Sequence, residues 1–259
     1  MTVPRVMAAL FAAVLASFLA CAPAPAAIKT QWIDYQQGDQ ALQGYLAYDD
    51  SRTGKRPGVL LVHRRDGMSA MTQKDAERVA KLGFVVFAPD IYGKEFRPTE
   101  VKEMIALSRK FQDDRPLMRA RIAAGFDILR ANRRVDPAKI ALVGYCFGGN
   151  VAVEFAEQGP PIVGSVIIHG SFRNFAPGAA KNIHGRMLIL HGADDTEAPL
   201  SDVFRLTSEM TANKVGWELR LYSGTTHNFT AEPQNDDERH ANTESQAATA
   251  SFLKEVLGR

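Results

Sequence analysis

The run Gly144-Tyr145-Cys146-Phe147-Gly148-Gly149 puts a nucleophile where chemistry could use it. It follows an apolar run at 140–143 and precedes a short apolar helical pattern at 151–156. A cysteine at the apex of a strand-to-helix turn stands above its sheet and at a helix N-terminus, whose dipole favours a thiolate. The turn strains the backbone of its central residue, so the residues two away must be small. Glycines 144 and 148 meet that need. The amide of Phe147 points to the same spot and can donate to an oxyanion. The competing reading of the hexapeptide on its own is a glycine-rich turn with a packing cysteine, and the downstream residues weigh against it.

Downstream, His191-Gly-Ala-Asp194-Asp195 ends the apolar run 187–190, and Ser223-Gly-Thr-Thr-His227-Asn-Phe229 follows the run 217–222. An acid, Asp194 or Asp195, and an imidazole, His227, therefore both lie just past strand C-termini, where open α/β sheets place their sites. The order nucleophile, acid, histidine is the one this kind of elbow uses. His63, His169 and His191 read as hydrogen-bonded structural histidines, and His184 and His240 as loop residues. The absence of GxGxxG, P-loop and HExxH patterns predicts neither cofactor nor metal.

The elements that must position these residues are legible as alternation. Segments 31–36 and 41–48 alternate around Gly38-Asp39 and read as a hairpin. Continuous apolar runs at 58–62, 84–88, 140–143, 162–168 and 187–190 read as strands covered on both faces; 217–222 alternates and reads as nearer an edge. Helical spacing occupies 74–82, 101–111, 117–129, 151–156, 201–210 and 247–257, with 234–243 a polar exposed loop. The expected fold class is α/β: a doubly wound, mostly parallel sheet with an N-terminal antiparallel hairpin and helices on both faces.

The 259-residue chain is 46% hydrophobic and 23% charged, which excludes disordered, collagen-like and coiled-coil chains. Lys and Arg number 31 against 29 Asp and Glu, so no broad basic field exists to attract nucleic acid. Arginines 115, 119 and 121 and arginines 130, 133 and 134 read as solvated helix faces. The start is a short basic stretch to Arg5, an apolar run at 6–20 and small residues at Ala24-Pro25-Ala26. That run is too short to span a bilayer, which takes about 20 residues. It has the form of a secretory signal peptide over 1–26, leaving a mature domain over 27–259 in the periplasm or secreted. A lipid anchor on Cys21 is the alternative, against which Phe18-Leu19-Ala20 stands, because a lipobox usually begins with leucine. Cleavage would leave Cys146 as the sole thiol, so no internal disulfide framework is expected. The expected state is a monomer.

Across nearly all of the chain after residue 26, the sequence resembles the dienelactone hydrolases of the α/β-hydrolase superfamily. The resemblance is carried by Gly144-Tyr-Cys-Phe-Gly-Gly149, Ala88-Pro-Asp-Ile-Tyr-Gly93, His191-Gly-Ala-Asp-Asp195 and His227-Asn-Phe229. It implies an α/β-hydrolase fold, Cys146 as nucleophile, His227 as base and Asp195 as acid. Asp195 is preferred to Asp194 because the family's acid stands four residues before a proline, here Pro199. Oxyanion donors would be the amides of Phe147 and Arg65. In His63-Arg64-Arg65, Arg64 holds the position of a family glutamate. Lys94 matches a substrate-binding arginine of some members, and Ala231 matches another. Arg64, Lys94, Tyr92 and Tyr145 are thus the candidate substrate-binding residues. A cation at Arg64 would stabilise the thiolate at rest; the alternative is an Arg64 turned outward to water. The implied activity is carboxylic ester hydrolysis on small activated esters or enol lactones, carboxymethylenebutenolidase-like, through an acyl-thioester. A catalytically silent scaffold that binds a small molecule or partner is the competing reading.

Overall fold

Gly38 takes φ +57° in the turn that reverses the chain between β1 (Ile28–Gln37) and β2 (Gln40–Asp49). The two strands pair antiparallel, with Trp32 opposite Tyr45. The computed structural model describes residues 27–172 and 178–258. The expected signal peptide, and the lipid anchor on Cys21, lie outside the described residues. Strand β2 joins the main sheet antiparallel to β4 (Val85–Ala88). All later neighbours run parallel: β3 (Arg56–Val62), β5 (Val135–Tyr145), β6 (Gly164–Ile168), β7 (Arg186–Gly192) and β8 (Trp217–Tyr222). The order is β1-β2-β4-β3-β5-β6-β7-β8, with β8 at the edge.

The strand pleat divides the core in two. Leu60, Val62 and Leu142 face one layer, with α3 (Arg115–Ala131), α4 (Phe147–Ala156) and α5 (Leu200–Ala212) packed over it. Val59, Leu61, Ala141 and Val143 face the other, covered by α1 (Ala70–Ala80) and α6 (Asp236–Leu257). Both faces being covered is why these strands read as continuous apolar runs. Helix α2 (Val101–Asp113) lies against α3 and sends Phe111 into the first layer. Among the described residues, no helix is long and apolar enough to cross a membrane.

Two expectations are corrected. The polar stretch 234–243 is not a loop: α6 begins at Asp236, so His240 is helical. Asn235 caps the helix by accepting from the Glu238 amide at 2.8 Å, and buried Glu238 accepts from the Thr226 hydroxyl at 2.6 Å. The arginines at 115, 119 and 121 are not a solvated face either. Arg115 and Arg119 turn inward to buried Glu154, at 2.7 and 2.8 Å, and Arg121 is itself buried. A carboxylate at that depth needs charged partners.

Candidate active site

The sequence places Cys146 between strand β5 and helix α4, and the backbone there is strained. Cys146 adopts φ +52°, ψ −117°, a region that costs an ordinary residue about 1–3 kcal/mol. A Cβ on Gly144 would lie 2.3 Å from the Gly148 carbonyl oxygen, and one on Gly148 would lie 2.3 Å from that of Val62. Only glycine fits at either position. The Cys146 amide donates to the Ile168 carbonyl at 3.0 Å, which fastens the elbow to the end of β6.

Two further loops bring their side chains to the sulfur. His227 Nε2 lies 3.1 Å from Cys146 Sγ, and His227 Nδ1 lies 2.7 Å from Asp195 Oδ2. The other oxygen of Asp195 accepts from the amides of Glu197 and Ala198, both at 2.9 Å, so the carboxylate is fixed before it meets the ring. Asp194 is exposed and spends its amide on the Thr225 carbonyl. Buried His191 donates Nε2–H to the Ala198 carbonyl at 2.8 Å and holds the same loop.

The charges follow from these contacts. Burial of the sulfur opposes ionisation. The hydrogen bond and charge of His227, the charge of Arg65 and the Phe147 amide outweigh it and hold the thiol below its ordinary value. Burial alone would discharge His227, yet Asp195 and Cys146 raise it to about 10. Asp195 is held below its ordinary value, because His227 and the Ala198 amide overcome the effect of burial. Both shifts favour the charged pair, a thiolate beside an imidazolium.

The loop after β3 supplies the far wall. The Ile91 amide donates to His63 Nε2 at 3.3 Å, which places the ring proton on Nδ1, and Nδ1 donates to the Arg64 carbonyl at 2.6 Å. Burial keeps that ring neutral. The Tyr92 hydroxyl donates to the Arg65 carbonyl at 3.1 Å. The Arg65 backbone is thus held from both sides. A cavity of about 410 Å³ opens over the sulfur, lined among others by Arg65, Arg109, Cys146, Phe147, Glu197 and His227.

The candidate substrate-binding residues lie elsewhere. Arg64 neither reaches the sulfur nor turns to water. Its side chain runs to Asp75 at 2.6 Å and Thr230 at 3.0 Å, with its guanidinium carbon 4.2 Å from the Tyr145 ring centre. Lys94 pairs with Asp34 at 2.9 Å on the exposed side of β1. Tyr145 is buried and accepts from Arg78 at 2.6 Å, and Tyr92 is buried beneath the loop it braces. None of the four lines the cavity. Sequence reasoning missed the side chains of Arg65 and Glu197, which pair across the cavity, and the hydroxyl of Thr230, which joins Arg64 to His169 at 2.8 Å. The Arg64-Arg65 pair was the available signal, but nothing in it says which side chain faces inward.

Cys146, His169 and His227 bring three donor atoms within 4.8 Å of one another. His227, however, commits both nitrogens to Cys146 and Asp195, and His169 Nε2 is bonded to Thr230. The hydrogen bonds leave only the sulfur's remaining lone pairs and His169 Nδ1 uncommitted in the cluster.

The sequence profile of the "Dienelactone hydrolase family" matches residues 42–257. Protein usf of Aquifex pyrophilus is 25% identical over 232 residues, covering 88% of this chain and 99% of that protein. A carboxymethylenebutenolidase homolog of Mus musculus is 26% identical over 168 residues, covering 64% of this chain and 66% of that protein. Among solved structures, a dienelactone hydrolase-like promiscuous phosphotriesterase from metagenomic libraries superposes with a TM-score of 0.82 at 28% identity, covering 89% of this chain and 99% of that one.

Proposed function

The chain belongs to the dienelactone hydrolase family and is a hydrolase, and we propose that it cleaves small activated carboxylic esters, enol lactones or thioesters by acyl transfer to Cys146. The observation that carries this reading is the unbroken relay from Asp195 Oδ2 to His227 to Cys146 Sγ, with spacings of 2.7 and 3.1 Å, beneath an open cavity. A silent scaffold finds no support in a site whose acid, imidazole and sulfur are joined in one relay.

The thiolate attacks the ester carbonyl. The amides of Phe147 and Arg65 are the proposed donors to the tetrahedral oxyanion, a contribution of about 3 kcal/mol per donor in comparable sites. His227 gives its proton to the leaving oxygen as the carbon–oxygen bond breaks, then takes a proton from the water that cleaves the thioester. Asp195 keeps the ring in one tautomer and balances its charge throughout.

A thiolate is a better leaving group than an ordinary alkoxide, whose conjugate alcohol is far less acidic than a thiol of reference pKa about 8.5. The tetrahedral adduct of an alkyl ester therefore collapses back to substrate. An enol, phenol or thiol competes far better for departure. A panel of aryl, enol and alkyl esters and amides, with and without iodoacetamide, tests the reading. Aryl and enol esters should turn over, and alkylation should abolish their turnover. Alkyl esters or amides cleaved as fast as aryl esters would overturn the leaving-group argument.

Export is part of the same proposal and is supported by the pattern of residues 1–26 alone. Mass spectrometry of the protein from a periplasmic extract should give an N-terminus at Ala27. Near-neutral charge supports a small-molecule substrate over nucleic acid. The monomer is checked by sedimentation.

A further inference from the structure

Arg65 follows Arg64 in the chain but takes the opposite direction. Its side chain lines the same cavity as Cys146, close enough for its charge to act on the sulfur, and pairs with Glu197 from the loop that carries Asp195. The Arg65 side chain is 21% exposed and that of Glu197 is 50% exposed, so the cation sits in the low-dielectric wall while its carboxylate partner stands half in water. The nearer and better shielded of two charges dominates the field at a buried atom.

Among the described residues, the other groups that face the sulfur are few. His227 approaches from the loop after β8. His169 approaches from the end of β6, held neutral by burial and by the charges of His227 and Arg64. Tyr92, from the loop after β4, keeps its phenol proton because it is buried and near the sulfur's charge. The Phe147 amide points from the first turn of α4, and Arg109 lines the same cavity from α2. Of the two cations whose charge acts on the sulfur, His227 must surrender its proton to the leaving oxygen. Arg65 keeps its charge at every step.

We propose that the Arg65 side chain is a further catalytic residue of this hydrolase, whose guanidinium holds the negative charge of the Cys146 sulfur while Glu197 sets how much of that field the sulfur receives. The inference rests on the thiol-hydrolase reading above. It adds a consequence for substrate choice. A sulfur stabilised as an anion attacks less strongly and departs more readily, since nucleophilicity falls with thiol pKa at a Brønsted slope of about 0.4–0.5. Departure of sulfur, with the electron pair of its bond to carbon, completes deacylation. The same departure returns the first adduct of a poorly activated ester to substrate. Arg65 therefore speeds release of the acyl group and narrows the enzyme to substrates with good leaving groups.

The test is the thiolate absorbance at 240 nm against pH, without substrate, alongside the pH dependence of iodoacetamide alkylation. Arg65→Met should raise the apparent thiol pKa by about one unit, the scale on which a single close cation acts. Arg65→Lys should restore most of the shift, and Glu197→Gln should lower the pKa below that of the unaltered protein. Melting temperatures report folding separately. Should Arg65→Met not fold, Glu197→Gln decides alone, because a purely structural pair predicts no downward shift. An unmoved pKa in folded Arg65→Met, or no fall in Glu197→Gln, overturns the proposal. Because no substrate is present, this result is independent of the ester panel: a silent panel sinks the function, and a silent titration sinks only the role of Arg65.

Discussion

Helix α4 ends in two buried titratable groups, Cys146 at its N-cap and Glu157 at its C-cap. The thiol is pushed down, towards its charged form, and the carboxyl is pushed up to about 8, towards its neutral form. Helix polarity has the right sign for both, favouring an anion at the first end and disfavouring one at the second, but contributes only about 0.3–1 kcal/mol at each. Partners make the larger difference. The sulfur has an imidazolium, a guanidinium and an amide. Glu157 is desolvated, faces Glu154 and Glu209, and has no hydrogen-bond partner on either carboxylate oxygen among the described residues. Glu154, one turn earlier, has taken Arg115 and Arg119. Burial opposes charge at both ends, and the compensating groups prevail only at the end that opens into a cavity; at the other, Arg115 and Arg119 act on Glu157 too weakly to offset burial and Glu154.

The strongest way to break the comparison is to remove the group that the N-terminal end is built around. Cys146→Ala should lower kcat/KM on an aryl ester by about 10⁴-fold or more while the fold persists, as loss of a nucleophile does elsewhere. Retained turnover would mean that the partners assembled around the sulfur serve something other than attack. Asp195→Asn should cost about 10³–10⁴-fold by leaving the ring in the wrong tautomer. It should also raise the apparent thiol pKa, because the imidazolium loses its counter-ion. A kinetic loss with an unmoved thiol would show that Asp195 orients the ring without sharing in the charge balance.

The C-terminal end is tested through stability. The folded pKa of Glu157 is raised above its unfolded value, so its favourable contribution is complete below the ordinary carboxylate range. That contribution declines as pH rises towards about 8, because the folded state must keep a proton the unfolded chain gives up. Glu157→Gln mimics the neutral form. Its melting temperature should change less between pH 5 and pH 8 than that of the unaltered protein and exceed it at pH 8 by several degrees, at about 2–4 °C per kcal/mol for a chain of this size. Parallel melting curves for the two proteins would show that Glu157 finds a partner in solution and that the ends of α4 are not opposites.

Much of this was legible in the sequence, because its causes are local. Glycines at 144 and 148 are demanded by contacts within the turn, and the apolar runs record strands covered on both faces. The first half of α6 was hidden by its polarity, although Asn235 with Glu238 three residues on is a capping pattern. The fate of Glu157 was out of reach, since it depends on Glu154 winning both arginines of another helix. The directions of Arg64 and Arg65 were equally out of reach. They sit on an irregular turn after β3, where no strand or helix period assigns a side chain to a face.

That last pair gives the smallest effect and the sharpest contrast. Arg64 is buried with Asp75 on the side of the sheet away from the cavity, and Asp75 also holds Arg78 at 2.9 Å. Removing one partner of a buried pair usually costs about 3–5 kcal/mol. Here Arg78 remains to neutralise the carboxylate, so Arg64→Met should cost less, about 1–3 kcal/mol, the scale of polar groups left unpaired. Arg64 reaches the site through Thr230, three residues beyond His227, and through the ring of Tyr145 beside Cys146. The variant should therefore lose kcat modestly, as the histidine loop loosens, and leave the thiol titration where it was. If instead the apparent pKa rises as in Arg65→Met, charge reaches the sulfur from behind the sheet as well as from the cavity, and the field at Cys146 belongs to both arginines.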